Sequence, residues 1–196
     1  MTLPLPRKEE KYSYRDYLSW PDEERWELIE GVPYGMTPAP SRFHQEILGE
    51  IFRQFSNYLV AKKCRIYMAP FDVRLPESNE ADEEVETVVQ PDLVVVCDPS
   101  KLDKKGVRGA PDLIIEITSP ATARKDQREK FFLYEKAGVK EYWIVNAGDR
   151  IITVFKLDEH GKYGRPEIYS DEESIEVGLF SGDLAIDLKP AFSEKS

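Results

Sequence analysis

Residues 88–98, VVQPDLVVVCD, and residues 110–120, APDLIIEITSP, decide the fold. Each run is apolar on both of its alternating faces, the pattern of a strand covered on two sides, and a loop containing lysines and a glycine joins them. Downstream, residues 122–137 (TARKDQREKFFLYEKA) predict a helix stopped by Gly138 at the position that favours a left-handed cap. KEYWIVN, a turn at AGDR and IITVFKL then predict a hairpin, and the tail alternates short strands with turns. Upstream, CRIYMAPFDVRLP reads as one long or kinked strand. Before it, Ser41 caps a core helix with Phe43, Ile47, Leu48, Ile51, Phe52, Phe55, Tyr58 and Leu59 at helical spacing, and Glu50 on the other side reads as surface. Trp26–Ile29 and VPYGM predict a first hairpin around Gly31, and residues 12–20 a short helix ahead of Pro21. This order gives a mixed α/β (α+β) chain with an antiparallel β extension at its C-terminal end.

At 196 residues one domain is the expected count. The longest purely apolar stretch, Leu93 to Cys97, falls far below the ~20 residues of a membrane span, and the first residues, MTLPLPRKEEKYSY, have no secretory pattern. Two cysteines, Cys64 and Cys97, both among apolar neighbours, argue against a disulfide framework and for a reducing cytoplasm. The formal net charge of −10 disfavours nucleic acid or anionic membrane if spread evenly, but it is not. Glu77 to Glu86 holds six acids and no base and reads as a solvated loop, whereas Lys101 to Lys130 carries a local excess of base.

Within that basic window stands a carboxylate in an unexpected place. Alternation puts Asp112, Ile114, Glu116 and Thr118 on one strand face and Leu113, Ile115 and Ile117 on the other, so Glu116 is enclosed by isoleucines. An ionised group there needs a cation, donors or a metal to offset several kcal/mol of desolvation. Asp92 heads the other apolar run on the face of Val94 and Val96. If the two strands are neighbours, both carboxylates converge, and hard oxygen ligands suit Mg2+ or Mn2+. With only His44 and His160, and no CxxC or CxH spacing, zinc is a poor candidate. The alternative is a structural ion pair at Glu116 and a turn cap at Asp92.

A phosphoryl-transfer site also needs a cation near the phosphate or the attacking water, and Lys130 shares a helical stripe with Asp126, Leu133, Tyr134 and Ala137. Asp126, one turn earlier, would orient it as an i, i+4 pair; the bland alternative is a solvated helical pair. Lys125 and Arg128 lie off the stripe, facing solvent or a phosphate backbone.

Taken together, ELIEG (27–31), SRFH (41–44), QPDLVVVCD (90–98), PDLIIEITSP (111–120), the spacing Asp126, Lys130, Tyr134, and GVKEYWIV (138–145) resemble the Uma2 family of endonucleases, a branch of the PD-(D/E)xK superfamily. The resemblance implies a restriction-endonuclease-like mixed sheet flanked by helices, with a core at about residues 25–156 and an extension over 157–196. It makes Asp92 the motif aspartate and Glu116 the acid of the E-x-K element. Thr118 stands where that element has lysine, and Lys130 takes its place. Glu30 and His44 match further family positions, each weighed evenly between a supporting role in the site and an ordinary structural one.

The function this implies is Mg2+- or Mn2+-dependent hydrolysis of DNA phosphodiester bonds. Asp92 and Glu116 are the metal ligands, Lys130 is the catalytic cation, and Lys101, Lys104, Lys105, Arg108, Arg124, Lys125 and Arg128 grip the DNA backbone. Thr118 and the overall acidity favour an alternative, a nuclease-fold interaction or DNA-associated regulatory protein without the chemistry. By analogy of fold a homodimer is expected.

Overall fold

The computed structural model describes residues 10–21, 24–36, 40–118 and 125–193, with side chains in the helix that starts at residue 125 described from Arg128 onward. Near the N-terminal end a short helix α1 (Tyr14–Tyr17) precedes the hairpin β1 (Trp26–Ile29) and β2 (Val32–Gly35), and α2 follows (Arg42–Leu59). Next come β3 (Arg65–Met68), β4 (Val73–Arg74), β5 (Val88–Val89), β6 (Leu93–Val96), β7 (Leu102–Asp103), β8 (Gly106–Arg108) and β9 (Leu113–Thr118). The remainder is α3 (Lys125–Ala137), the hairpin β10 (Glu141–Asn146) and β11 (Ile151–Lys156), then β12 (Glu167–Ser170), β13 (Ser174–Glu176), β14 (Ala185–Asp187) and α4 (Lys189–Phe192).

Two six-stranded sheets carry the fold, ordered β2-β1-β5-β4-β8-β7 and β12-β11-β10-β9-β6-β3, with β13 and β14 as a separate pair. In the second sheet β9 and β10 run parallel, as the intervening helix α3 requires, and its other neighbours are antiparallel. Both faces of this sheet are covered, which is why its central strands read as continuous apolar runs. Leu93, Val95, Leu113, Ile115, Ile117, Trp143 and Val145 face the apolar stripe of α2. Val94, Val96, Ile114 and Tyr142 face Leu133 and Tyr134 of α3. Gly138, at φ +85°, ends α3 as its sequence suggests.

The helix start expected at Ser41 is present, the Ser41 hydroxyl accepting a hydrogen bond from the His44 N–H at 3.2 Å. Loss of that cap in Ser41→Ala costs about 1 kcal/mol of folding stability, readable as a shift in the urea midpoint with unchanged slope.

Four expectations are corrected. Residues 64–76 are not one strand: the chain leaves the second sheet after Met68, passes a cis Ala69–Pro70 bond and joins the first sheet at Val73. Pro70 has no N–H for a ladder, so the run breaks there. A disulfide joins Cys64 to Cys97, because the β3/β6 register that pairs Arg65 with Val96 continues outward to put the two cysteines opposite one another. The acidic segment is only partly a solvated loop: Val85 is fully buried, and Asp82 ion-pairs with Arg74, Lys105 and Arg108. Glu50 is buried, held by Arg53 and Gln54. The C-terminal extension also does more than add strands. Its Ile175, Val177, Ile186, Leu188 and Phe192 enter the same core as α2.

Candidate active site

The chain crosses from the first sheet to the second through Gln90, Pro91 and Asp92, between β5 and β6. Functional side chains gather at this crossing. Antiparallel pairing of β6 with β9 matches Leu93 with Ile115, so the next step of the register sets Asp92 across from Glu116. Asp92 Oδ2 accepts the Ile117 N–H at 2.7 Å, and its Oδ1 lies 3.2 Å from His44 Nε2 on the first turn of α2. The Ser41 cap therefore fixes the turn that aims His44 at Asp92.

Glu116, on the β9 face that carries Ile114, projects toward α3. There its Oε1 accepts hydrogen bonds from Lys130 Nζ and from the Tyr134 hydroxyl, each at 2.8 Å. Lys130 and Tyr134 are one helical turn apart, so a single helix face delivers both. Lys130 Nζ is also 2.8 Å from Glu27 Oε1. Glu27 belongs to the first sheet, where the β1/β5 pairing of Leu28 with Val88 brings it beside Gln90, whose N–H it accepts at 2.9 Å.

Burial pushes the Glu116 carboxyl up to about 7; Lys130 opposes the rise, while Glu27 and Asp92 add to it. Burial disfavours the Lys130 ammonium, but Glu116 and Glu27 outweigh that and hold its pKa well above the ordinary lysine value. Burial, followed by Glu116 and Glu27, likewise holds the Tyr134 hydroxyl protonated. At neutral pH Lys130 is thus a fixed cation and not a proton acceptor.

Of the residues expected in the site, Asp92, Glu116, Lys130 and His44 are brought together. Glu30 is not. It forms, with Gly31, the two-residue tip of the β1/β2 hairpin, both residues at positive φ, which points its mostly exposed side chain toward Lys136, 3.9 Å away. Glu27, three residues earlier in the same ELIEG motif, is the acid that enters. The side chain of Asp126 lies outside the described residues; among the described ones, the acids that hold Lys130 are Glu116 and Glu27. Thr118 ends β9 with its hydroxyl donating to the Val145 carbonyl at 3.2 Å.

Three of the expected backbone-gripping residues are bonded within the protein. Lys101 donates to the Ala110 carbonyl, and Lys105 and Arg108 pair with Asp82. Lys104 and Arg128 are exposed, whereas Arg124 and the Lys125 side chain lie outside the described residues.

The carboxylates fit a sparsely ligated hard cation. Glu116 Oε2 accepts no hydrogen bond among the described residues, and no group of three or more His, Cys, Asp or Glu is close enough among them to enclose a metal. Mg2+ typically takes one or two protein carboxylates and keeps water or substrate oxygens in its other positions, so an open pair of acids matches it. A closed zinc shell does not match: both cysteines are in the disulfide, and His160 is exposed beside Glu159.

The architecture is thus a mixed sheet flanked by helices, with Asp92 and Glu116 opposite one another at adjacent strands and Lys130 on the following helix. A solved structure shares that fold: a crystal structure from Anabaena variabilis, described as a "putative nuclease belonging to DUF820", superposes with a TM-score of 0.72 at 18% identity over 92% of this chain and 97% of the other. The chain belongs to the Uma2 family, described as "Putative restriction endonuclease", whose model matches residues 14–189. A relative from Synechocystis sp., the "Uncharacterized protein slr1290", is 25% identical over 156 residues, 78% of each chain. No helix among the described residues is long and apolar enough to cross a membrane.

Proposed function

We propose that this chain is a divalent-metal-dependent endonuclease that hydrolyses DNA phosphodiester bonds. The observation that carries the reading is the register of β6 on β9, which sets Asp92 across from Glu116 and within the reach of a helix that holds Lys130 2.8 Å from Glu116. Asp92 and Glu116 would hold Mg2+ or Mn2+. Such a cation, when bound, polarises a phosphate oxygen and acidifies water. The protein's own groups do the rest. His44 and the Ile117 N–H orient Asp92, Tyr134 orients Glu116, and Lys130, kept protonated, offers N–H donors and charge to the phosphate as negative charge builds on it. Glu27 holds Lys130 in position without drawing it away from Glu116. By analogy of fold the reading also expects a homodimer, which light scattering checks, whereas the Cys64–Cys97 disulfide removes the cysteine argument for a reducing cytoplasm.

A second reading, a nuclease fold without the chemistry, draws support from Lys130 being clasped by two carboxylates, a closed arrangement that a structural ion pair would also adopt. Plasmid nicking separates the two. The catalytic reading expects Mg2+- or Mn2+-dependent relaxation of supercoiled DNA that ceases in chelator and falls below detection in Asp92→Asn and Glu116→Gln. Equal activity in wild type and both variants, or none with either metal, sinks it.

A further inference from the structure

A DNA strand would bring more anions to the site than its resident cations face. Glu27 and Glu116 share one ammonium, Lys130, Asp92 has His44 beside it, and backbone phosphates next to the one held at a cation on Asp92 and Glu116 would need positive groups of their own. Most nearby cations are already spent on protein partners: Lys130 on two acids, Lys105 and Arg108 on Asp82, Lys136 on Glu77, Lys101 on a carbonyl. Arg25 is different. It is exposed, and among the described residues no carboxylate lies within ion-pairing distance of its guanidinium.

Its guanidinium is nevertheless held in one orientation. Nε and Nη2 donate to Gln90 Oε1 at 3.0 and 2.7 Å. The Gln90 amide cannot turn away, because its Nε2 donates to the Tyr17 hydroxyl and to Asp72 Oδ1, each at 2.9 Å. Asp72 is fixed in turn by the Tyr17 hydroxyl at 3.0 Å. Gln90 lies two residues before Asp92, and its N–H donates to the Glu27 carboxylate that holds Lys130. Arg25 lies two residues before Glu27, and so falls on the same side of β1 by alternation. A neutral amide oxygen aligns the group without cancelling its charge. Among the described residues no acceptor takes the Nη1/Nη2 edge of the fork, the edge that pairs in parallel with two oxygens of a phosphate.

We infer that Arg25 is a phosphate clamp, aligned by Gln90, that binds a DNA backbone phosphate beside the one to be cleaved. The inference rests on the proposed function in taking DNA as the ligand, but it does not depend on cleavage. Its test is the affinity of the full chain for a fluorescent DNA duplex in Ca2+ across a potassium chloride series, read by anisotropy. Arg25→Gln is expected to weaken binding about tenfold and to make the slope of log affinity against log salt less negative by about one, the signature of one lost phosphate contact. Arg25→Lys keeps the slope but binds more weakly than wild type, and it decides the matter if Arg25→Gln does not fold. Wild-type affinity and slope in Arg25→Gln, or wild-type affinity in Arg25→Lys, overturns the clamp while leaving the nuclease reading intact. Cleavage-dead wild type that still shows the Arg25 effect sinks the chemistry and keeps the clamp, and wild type that binds no DNA overturns both.

Discussion

Lys130→Met is expected to lower metal-dependent nicking at least ~100-fold and to cost about 3 kcal/mol of folding stability, two effects that separate in a double variant. Removing the ammonium leaves Glu116 and Glu27 facing each other, both mostly buried, with Asp92 close behind. Breaking one side of such a pair costs more than the pair itself contributes, because the remaining charges stay desolvated without a partner. Lys130→Met/Glu27→Gln removes one of those stranded charges, so it regains much of the lost stability in urea unfolding while the nicking defect persists. If Lys130 is only a structural clasp, the double variant recovers activity along with stability. Full activity in Lys130→Met alone would be just as damaging to the catalytic role. Glu27→Gln by itself, with Lys130 still bonded to Glu116, is expected to reduce nicking only modestly.

The parts of this site legible in the sequence are those that sit on one element or on two strands paired to each other. Asp92 and Glu116 stand out because each interrupts a run that is apolar on both faces, and β6 and β9 are neighbours as that reading requires. Lys130 follows from helical spacing with Leu133 and Tyr134, whereas His44 is suggested only by the family resemblance and is placed by the capped first turn of α2. Glu27 escaped because its role depends on which strand lies beside β1, and β5 lies about sixty residues downstream, so no local periodicity carries that information. One signal was available, an acid alternating with apolar residues inside a strand, the same anomaly that exposed Glu116. The two-residue hairpin tip explains the opposite error: Glu30 shares its motif with Glu27, but the turn swings it outward. Cys64 and Cys97 are likewise joined by a register that neither segment shows alone. Two residues of the basic window have partners that the sequence does not show. Lys105 and Arg108 lie close to the acidic segment in space, and Asp82 draws their charge inward.

In chelator, folding stability should fall as pH rises from about 5 to about 7, and Glu116→Gln should remove that part of the slope. The Glu116 carboxyl sits at about 7 in the folded chain against an ordinary 4.5, raised by burial, so between these values the folded state retains a proton that the unfolded state has released. Stability therefore decreases with pH across this window, by on the order of 2–3 kcal/mol at 1.36 kcal/mol per pKa unit. Lys130 does not offset it: its pKa is raised above the ordinary lysine value, so the stability it contributes is fully present below that value and is lost only in strongly alkaline solution. The measurement is the difference in melting temperature between wild type and Glu116→Gln at each pH, which cancels the remaining carboxylates. A divalent cation competes with the same proton, so Mn2+ should raise the wild-type melting temperature more at pH 8 than at pH 5, and should have little effect on the variant at either pH. A pH-independent difference would mean that Glu116 titrates as an ordinary surface acid. A Mn2+ shift equal in wild type and variant would place the ion elsewhere on this acidic chain, and the pairing of Asp92 with Glu116 would then be structural.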